Sequence, residues 1–439
     1  MTKKITFNVQ NGGSLNGEAR VAGDKSISHR SIMLGSLAEG TTHVTGFLEA
    51  EDALATLQAF RDMGVEIERK GEGCVTIHGV GKHGLKAPKA PLYLGNSGTS
   101  MRLLSGLLAG QAFNTVLTGD ESLSKRPMKR VTEPLAKMGA EIKTTEKGTA
   151  PLEITGKAGQ LVGIDYEMPM ASAQVKSCLL LAGMYAQGET KVTEPAPTRD
   201  HTERMLSGFG YPVSVNGNQA SVTADGKLTA MTIDVPSDIS SAAFFLVGAS
   251  IAANSNVLLK HVGINPTRTG VIYILKLMGA NIEVLNERVV GGEPVADLRV
   301  TSSQLKGIEI PEHLVPLAID EFPVLFIAAA CAEGETRLTG AEELRVKESD
   351  RIQVMADGLQ ILGVDAKPTP DGMIIQGGKI GGGTVESHGD HRIAMAFAIA
   401  GLRATAPIEI LDCANVNTSF PEFKNIATNL GLKLTTEEN

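Results

Sequence analysis

The chain has 439 residues with 41 Lys plus Arg against 49 Asp plus Glu, a formal net charge of −8. That balance argues against a nucleic-acid partner held by bulk electrostatics. The longest apolar helical run, Ala242 to Ala253, is 12 residues, well short of the 18 or more that a membrane span needs.

Taken in chain order, an apolar helical stretch ends six times at a glycine that leads straight into a short strand pattern. The copies are Met63-Gly64-Val65, Met138-Gly139-Ala140, Phe209-Gly210-Tyr211, Met278-Gly279-Ala280, Leu362-Gly363-Val364 and Leu430-Gly431-Leu432. Their glycines are 75, 71, 69, 84 and 68 residues apart, so one unit is used six times along the chain. A glycine just past a helix takes the left-handed cap conformation that other residues enter only at a cost. Each copy also carries an earlier helix that is apolar on nearly every face, such as Ala242-Ala243-Phe244-Phe245-Leu246 or Val324-Leu325-Phe326-Ile327. Such a helix has to be buried rather than amphipathic at a surface. The repeat is too long for a solenoid or propeller, and the chain exceeds what one hydrophobic core supports. Six units therefore divide into three plus three, giving an α/β architecture of two domains with a boundary near Val235-Pro236-Ser237.

The residues with chemistry lie in the polar loops that open the apolar helices. These are Gly23-Asp24-Lys25-Ser26-Ile27-Ser28-His29-Arg30, Gly95-Asn96-Ser97-Gly98-Thr99-Ser100-Met101-Arg102, Ala171-Ser172-Ala173-Gln174, Ser237-Asp238-Ile239-Ser240, Ile319-Asp320-Glu321 and Gly389-Asp390-His391-Arg392. Free N–H groups and the positive dipole end make a helix N-terminus an anion site. Ser, Asp and Asn there are explained by capping alone. The cations Lys25, Arg30, Arg102 and Arg392 are not, because positive charge in the first turns opposes the dipole. Two further basic loops, Ser124-Lys125-Arg126-Pro127 and Arg345-Val346-Lys347-Glu348-Ser349-Asp350-Arg351, join the set. Lys347 and Arg351 are like charges spaced i,i+4, which is unfavourable unless an anion lies between them.

The four cysteines lie far apart, with no Cys-x-x-Cys pair, so neither zinc nor a disulfide framework is expected. The opening Met1-Thr2-Lys3-Lys4-Ile5-Thr6 lacks an apolar signal core. A cytoplasmic protein acting away from membranes and nucleic acid is the expectation.

In order along the chain, Asp24-Lys25-Ser26 with Arg30, Gly95-Asn96-Ser97-Gly98-Thr99 with Arg102, Lys125-Arg126-Pro127, the Arg345–Arg351 stretch and Asp390-His391-Arg392 resemble the motifs of the 5-enolpyruvylshikimate-3-phosphate synthase family. The resemblance runs from about Gly17 to Phe423. It implies an inside-out α/β barrel of two domains, each of three βαβαββ-type units with buried helices. Domain I would comprise residues 1–22 plus 237–439 and domain II residues 23–236, with the active site in the interdomain cleft. It also implies transfer of the enolpyruvyl group of phosphoenolpyruvate to the 5-hydroxyl of shikimate 3-phosphate. No cofactor and no metal are implied, the partners are small anionic substrates, the chain is expected to be a monomer, and glyphosate is an expected inhibitor.

By the same resemblance, Lys25, Ser26, Arg30, Ser172, Ala173, Gln174, Arg199, Asp320 and Lys347 bind shikimate 3-phosphate. Lys25, Gly98, Arg126, Gln174, Arg351 and Arg392 bind phosphoenolpyruvate. Asp320 is the candidate base at the hydroxyl, Glu348 the proton shuttle at the methylene carbon, and Lys25 assists the departing phosphate. Asn96, Thr99, Arg102 and His391 are secondary candidates. Three residues depart from the common pattern: Ala173 in place of a second serine, Thr198-Arg199-Asp200-His201 in place of a Ser-Lys-Pro-Tyr segment, and Ser419 in place of a lysine. The main rival is the UDP-N-acetylglucosamine enolpyruvyl transferase family, whose Gly-Cys-x-x-Gly loop is absent at Gly119-Asp120-Glu121-Ser122. A non-catalytic repeat scaffold that binds anions is the rival of a different class.

Overall fold

The structure is a computed structural model and describes residues 4–438. Its α-helices are α1 (Lys25–Leu37), α2 (Glu51–Asp62), α3 (Gly98–Ala109), α4 (Lys129–Lys137), α5 (Ala173–Gly183), α6 (His201–Gly208), α7 (Ile239–Ile251), α8 (Gly270–Leu277), α9 (Phe322–Cys331), α10 (Arg351–Ile361), α11 (His391–Ala400) and α12 (Phe423–Leu430). They alternate in kind. The odd-numbered helices are the apolar ones, and α7 is buried along its whole length. The even-numbered helices bury one face; α2, for example, buries Ala53, Thr56, Leu57 and Phe60 and turns Glu51 and Arg61 outward.

All six glycines that follow the even-numbered helices have positive φ, from 78° at Gly210 to 123° at Gly431. This is the left-handed stop that their spacing predicts. Within the core the demand on glycine is for space instead. A Cβ on Gly106 would stand 2.0 Å from the Cys178 carbonyl oxygen, so α3 and α5 pack at backbone distance.

Each repeat builds one small sheet, and the sheet containing Glu189–Thr193 shows the rule. That strand runs parallel to Asp165–Glu167 and antiparallel to Gln219–Thr223, which pairs in turn with Ser214–Asn216. With α5 and α6 between the strands the order is βαβαββ. Two repeats exchange their first strand. Thr232–Asp234, which precedes α7 in sequence, lies parallel to Glu39–Thr45. Asn16–Ala19, which precedes α1, lies parallel to the strand after α7, at Asn256–Leu259. Ile5–Val9 fills the third position of the last sheet, between Ile408–Leu411 and Leu434–Glu438. The sheet after α9 has only three strands. Isolated parallel bridges at Lys306–Glu333 and Glu309–Arg337 stand where the others have a first strand.

The chain forms two compact units. One comprises residues 1–22, 236–288 and 294–439, and the other residues 23–235 and 289–293. Pro236 and residues 289–293 thus group otherwise than the sequence boundary suggests. In the first unit α7, α9 and α11 pack on one another. In the second, α3 packs on α5, and the buried side chains of all three repeats form one continuous core. Helices inside and sheets outside is the inside-out arrangement. Among the described residues no helix is long and apolar enough to cross a membrane.

Candidate active site

The capping residues occupy the places that the helix starts require. Asp24, Ser97, Ser172, Asp238 and Asp390 each accept a hydrogen bond from a backbone N–H in the first turn of α1, α3, α5, α7 and α11. Alone among the buried helices, α9 starts without a side-chain cap; a 3-10 turn, Ile319–Glu321, leads into it. Two clusters of charged and polar side chains form at these starts, one in each unit.

In the second unit the helices are buried but their first turns are half-exposed, which leaves Lys25, Ser26, Asn96, Thr99, Arg102, Arg126, Ser172, Ala173, Gln174 and Arg199 within reach of solvent. Lys25 pairs with Asp52 from the first turn of α2. Arg126 donates to the Asn96 side-chain oxygen at 2.7 Å, and the Asn96 amide donates to Asp120 at 2.8 Å. Arg102 donates to Gln174, whose amide donates to Thr99 at 3.1 Å. Gly98 faces both guanidinium groups: a Cβ there would lie 3.2 Å from Arg126 Nη1 and 3.4 Å from Arg102 Nη1. Two guanidinium groups facing a residue without a side chain, at the positive end of α3, are chemically suited to an anion.

Arg30 is more deeply placed than its neighbours, at 5% exposure. Its Nε donates to Thr202 at 2.7 Å, and its Nη atoms donate to Ser177 at 2.9 Å and the Ser26 carbonyl at 3.0 Å. Burial pushes its pKa down to about 10. Arg30 therefore acts first as a brace between α1, α5 and α6. His29 is buried beside it and makes a hydroxyl chain to the start of α3. Its Nδ1 lies 2.8 Å from Thr56 Oγ1, which lies 2.5 Å from Ser100 Oγ, itself 2.7 Å from the cap Ser97. Burial holds the His29 pKa down at about 3, so the ring is neutral at ordinary pH.

In the first unit the centre is Arg351, at the first position of α10 and 1% exposed. Its Nε donates to Asp390 at 2.8 Å, and its Nη2 donates to Glu348 at 2.7 Å and Asp390 at 3.3 Å. Its Nη1 meets Asp320 at 3.4 Å. Burial opposes the guanidinium charge, but Asp390, Glu348 and Asp320 outweigh it and hold the pKa above the usual arginine value. Lys347 lies 3.6 Å from Asp320 and 2.8 Å from Glu343. The anion between Lys347 and Arg351 is thus supplied by the protein, as the Asp320 carboxylate. Lys347 also precedes α10 rather than sharing its surface, so the i,i+4 repulsion of a regular helix does not arise. Glu348 pairs with Arg351 and not with Lys347. Asp390 accepts from the Arg392 backbone N–H at 2.9 Å, while His391 is buried and Arg392 half-buried. Ser419 follows the 3-10 turn Ala414–Thr418 and is half-buried.

Sequence reasoning missed several partners. Lys176, 2% exposed, bridges Glu203 at 2.8 Å and Glu194 at 3.0 Å. A lysine inside the otherwise apolar run of α5 is the signal that could have found it. Asp52 gives no such signal, because an acid in the first turn of α2 reads as ordinary dipole compensation.

A family model described as EPSP synthase (3-phosphoshikimate 1-carboxyvinyltransferase) matches residues 9–426. The 3-phosphoshikimate 1-carboxyvinyltransferase of Methylococcus capsulatus is 71% identical over 98% of this chain and 99% of its own. Among solved structures, the EPSP synthase of Acinetobacter baumannii superposes with a TM-score of 0.92 at 63% identity, covering 99% of this chain and 100% of that one. The enolpyruvyl transferase NikO of Streptomyces tendae covers both chains fully with a TM-score of 0.80 at 14% identity. That last likeness speaks to the fold alone.

Proposed function

The chain belongs to the EPSP synthase (3-phosphoshikimate 1-carboxyvinyltransferase) family, and from that premise we propose how its two clusters divide one reaction. The activity is transfer of the enolpyruvyl group of phosphoenolpyruvate to the 5-hydroxyl of shikimate 3-phosphate, giving 5-enolpyruvylshikimate 3-phosphate and phosphate. Both substrates are small anions. The observation that carries the division of labour is the contrast in charge. The second unit presents cations at half-exposed helix starts, whereas the first presents carboxylates already gathered on Arg351 and Lys347.

On this reading the two units are the two domains, and the substrates draw residues of both into one active site. Lys25, Ser26, Arg30, Ser172, Ala173, Gln174 and Arg199 bind shikimate 3-phosphate, together with Asp320 and Lys347. Lys25, Gly98, Arg126, Gln174, Arg351 and Arg392 bind phosphoenolpyruvate. Asn96, Thr99, Arg102 and His391 support them; Asn96 does so by orienting Arg126. Asp390 holds the Nε edge of Arg351. The longer contact of Nη1 with Asp320, at 3.4 Å, is the one that a substrate carboxylate exchanges most readily.

Asp320 takes the proton of the 5-hydroxyl as that oxygen bonds to C2 of phosphoenolpyruvate. Glu348 delivers a proton to the methylene carbon, and the tetrahedral intermediate carries a methyl group. In the second half Glu348 removes a proton from that methyl group, the double bond re-forms, and the bond from C2 to the phosphate oxygen breaks. Lys25 and Arg126 stabilise the charge on the departing phosphate, and the proton that Asp320 took from the hydroxyl leaves with the phosphate or to solvent, which resets the base.

The test is phosphate release with phosphoenolpyruvate and each acceptor in turn. Release with shikimate 3-phosphate and none with UDP-N-acetylglucosamine is expected; the reverse preference would sink the assignment. Asp320→Asn should retain ligand affinity and lose phosphate release, whereas an anion-binding scaffold would show no release in either form. The reading extends to a cytoplasmic monomer working without nucleic acid or membrane, which sedimentation of the purified chain at micromolar concentration checks.

A further inference from the structure

The fourth helix start, Ser237-Asp238-Ile239-Ser240, has no part in the scheme above. Its polar side chains are nonetheless buried and connected. Arg268, 3% exposed, sends Nη2 to Asp238 Oδ1 at 2.9 Å and to Ser240 Oγ at 2.7 Å. The Ser240 hydroxyl, accepting from Arg268, donates to the Glu321 carboxylate. Glu321 is 2% exposed and adjoins Asp320 in the 3-10 turn before α9. The turn is thus gripped on both sides. Lys347 and Arg351 hold Asp320 at 3.6 and 3.4 Å, and Ser240 with Arg268 holds Glu321.

Such a grip is needed because α9 begins without the side-chain cap found on the other five buried helices. A one-turn 3-10 segment has weak hydrogen-bond geometry of its own. Folding would not select buried Arg268 and Glu321 for stability alone, since apolar residues of similar size often do as well as a buried ion network. We propose that Ser240, Arg268 and Glu321 are positioning residues for the enolpyruvyl transfer, fixing the turn so that Asp320 faces the hydroxyl it deprotonates. This rests on Asp320 as the base.

Ser240→Ala removes the hydroxyl between Arg268 and Glu321 without touching either proposed substrate set. Displacement of a base by a fraction of an ångström should lower kcat about tenfold to a hundredfold. Each KM should change less than about threefold, because the ligands that set binding remain. Ser240→Thr, which keeps the hydroxyl, should recover most of the loss. Melting curves establish that each variant is folded at the assay temperature. If Ser240→Ala is not, the near-isosteric Glu321→Gln is judged by the same criteria. Asp320→Asn is measured alongside. If it retains phosphate release, the base assignment fails and this inference with it. If Asp320→Asn is inactive while the folded Ser240→Ala or Glu321→Gln keeps kcat within about twofold, or loses rate only through KM, the base stands and the positioning role is overturned.

Discussion

Asp390→Asn tests the centre of the first unit's cluster with the smallest change of shape. Asp390 has no exposed surface and accepts four hydrogen bonds: from Arg351 Nε at 2.8 Å, Arg351 Nη2 at 3.3 Å, Ser349 at 3.0 Å and the Arg392 N–H at 2.9 Å. An asparagine fills the same space but turns one acceptor into a donor. If the oxygen keeps the α11 cap, the NH2 group confronts Arg351 Nε; if the amide flips, the cap is lost. Breaking a buried ion pair from one side costs roughly 3–5 kcal/mol. The lower end applies, because Glu348 and Asp320 still face Arg351. For a unit of this size, ~1 kcal/mol moves Tm by about 2–4 °C, so a fall of about 6–12 °C is expected by scanning calorimetry at pH 7. The sign with pH is fixed. Burial pushes the Asp390 carboxyl up, but Arg351 more than compensates and holds it below the usual carboxylate range. Its contribution is therefore complete above the unfolded carboxylate pKa, about 3.9, and is lost as pH falls through the lower folded value. The gap between wild type and variant should accordingly be the same at pH 7 and pH 5. A fall of less than about 2 °C at both pH values would show that Arg351 does not depend on Asp390, and the picture of an arginine that needs its carboxylates would be wrong.

A methyl group at Gly98 crowds only the far ends of Arg126 and Arg102 and makes an ordinary contact with Leu123 at 3.8 Å, so Gly98→Ala should fold normally, raise KM for phosphoenolpyruvate by about tenfold and weaken inhibition by glyphosate; an unchanged KM would exclude this glycine from the anion surface. His29 is held neutral by burial, with its pKa lowered from 6.5 to about 3, so its contribution is complete above the unfolded pKa and declines as pH falls below it. Between pH 7 and pH 5 the unfolded chain gains most of this proton and the native state does not, which weakens the native state by about 2 kcal/mol. Urea unfolding of His29→Asn at the two pH values should show a dependence smaller by about that amount, and parallel dependences would refute it. Lys176→Met leaves Glu194 and Glu203 buried without their cation, a loss of roughly 3–5 kcal/mol; a melting temperature equal to wild type would contradict the triad.

Much of the scaffold was legible because it rests on local rules. A glycine after an apolar helix has one conformation to offer, and a helix apolar all round has one place to go. The cations at helix starts were legible for the opposite reason, since Lys25, Arg102 and Arg392 break a local rule. What stayed hidden is non-local. The exchange of Asn16–Ala19 and Thr232–Asp234 between repeats leaves each strand's own pattern unchanged, so only the family resemblance, which gives residues 1–22 to domain I, pointed toward it. The pairing of Lys25 with Asp52 joins residues that each look ordinary. Arg351 reads from sequence as a cation awaiting a substrate, whereas three carboxylates from three separate segments already surround it. Arg30 likewise reads as a ligand, and its depth and its bonds to Ser177 and Thr202 become visible only once α1, α5 and α6 are packed.

The departure at α9 ties these observations together. Repetition supplies six equivalent helix starts, and a helix start by itself favours anions whatever its sequence. Five starts spend a side chain on a cap, which satisfies the backbone and fixes that side chain against its own helix. The α9 start does not, and its two acids are turned away from the helix, Asp320 toward Lys347 and Arg351, Glu321 toward Ser240. A carboxylate that caps its helix must keep at least one bond to a backbone N–H donor, whereas a carboxylate held by two side-chain cations can exchange one of them for a substrate group. Asp320, the base in the proposed reaction, lies in the repeat that breaks the capping pattern. Removing that carboxylate should remove the chemistry while keeping the fold: Asp320→Ala should leave the melting temperature within a few degrees and abolish phosphate release. Retained release in that variant would mean that the placement of the carboxylate on the turn is not what catalysis depends on.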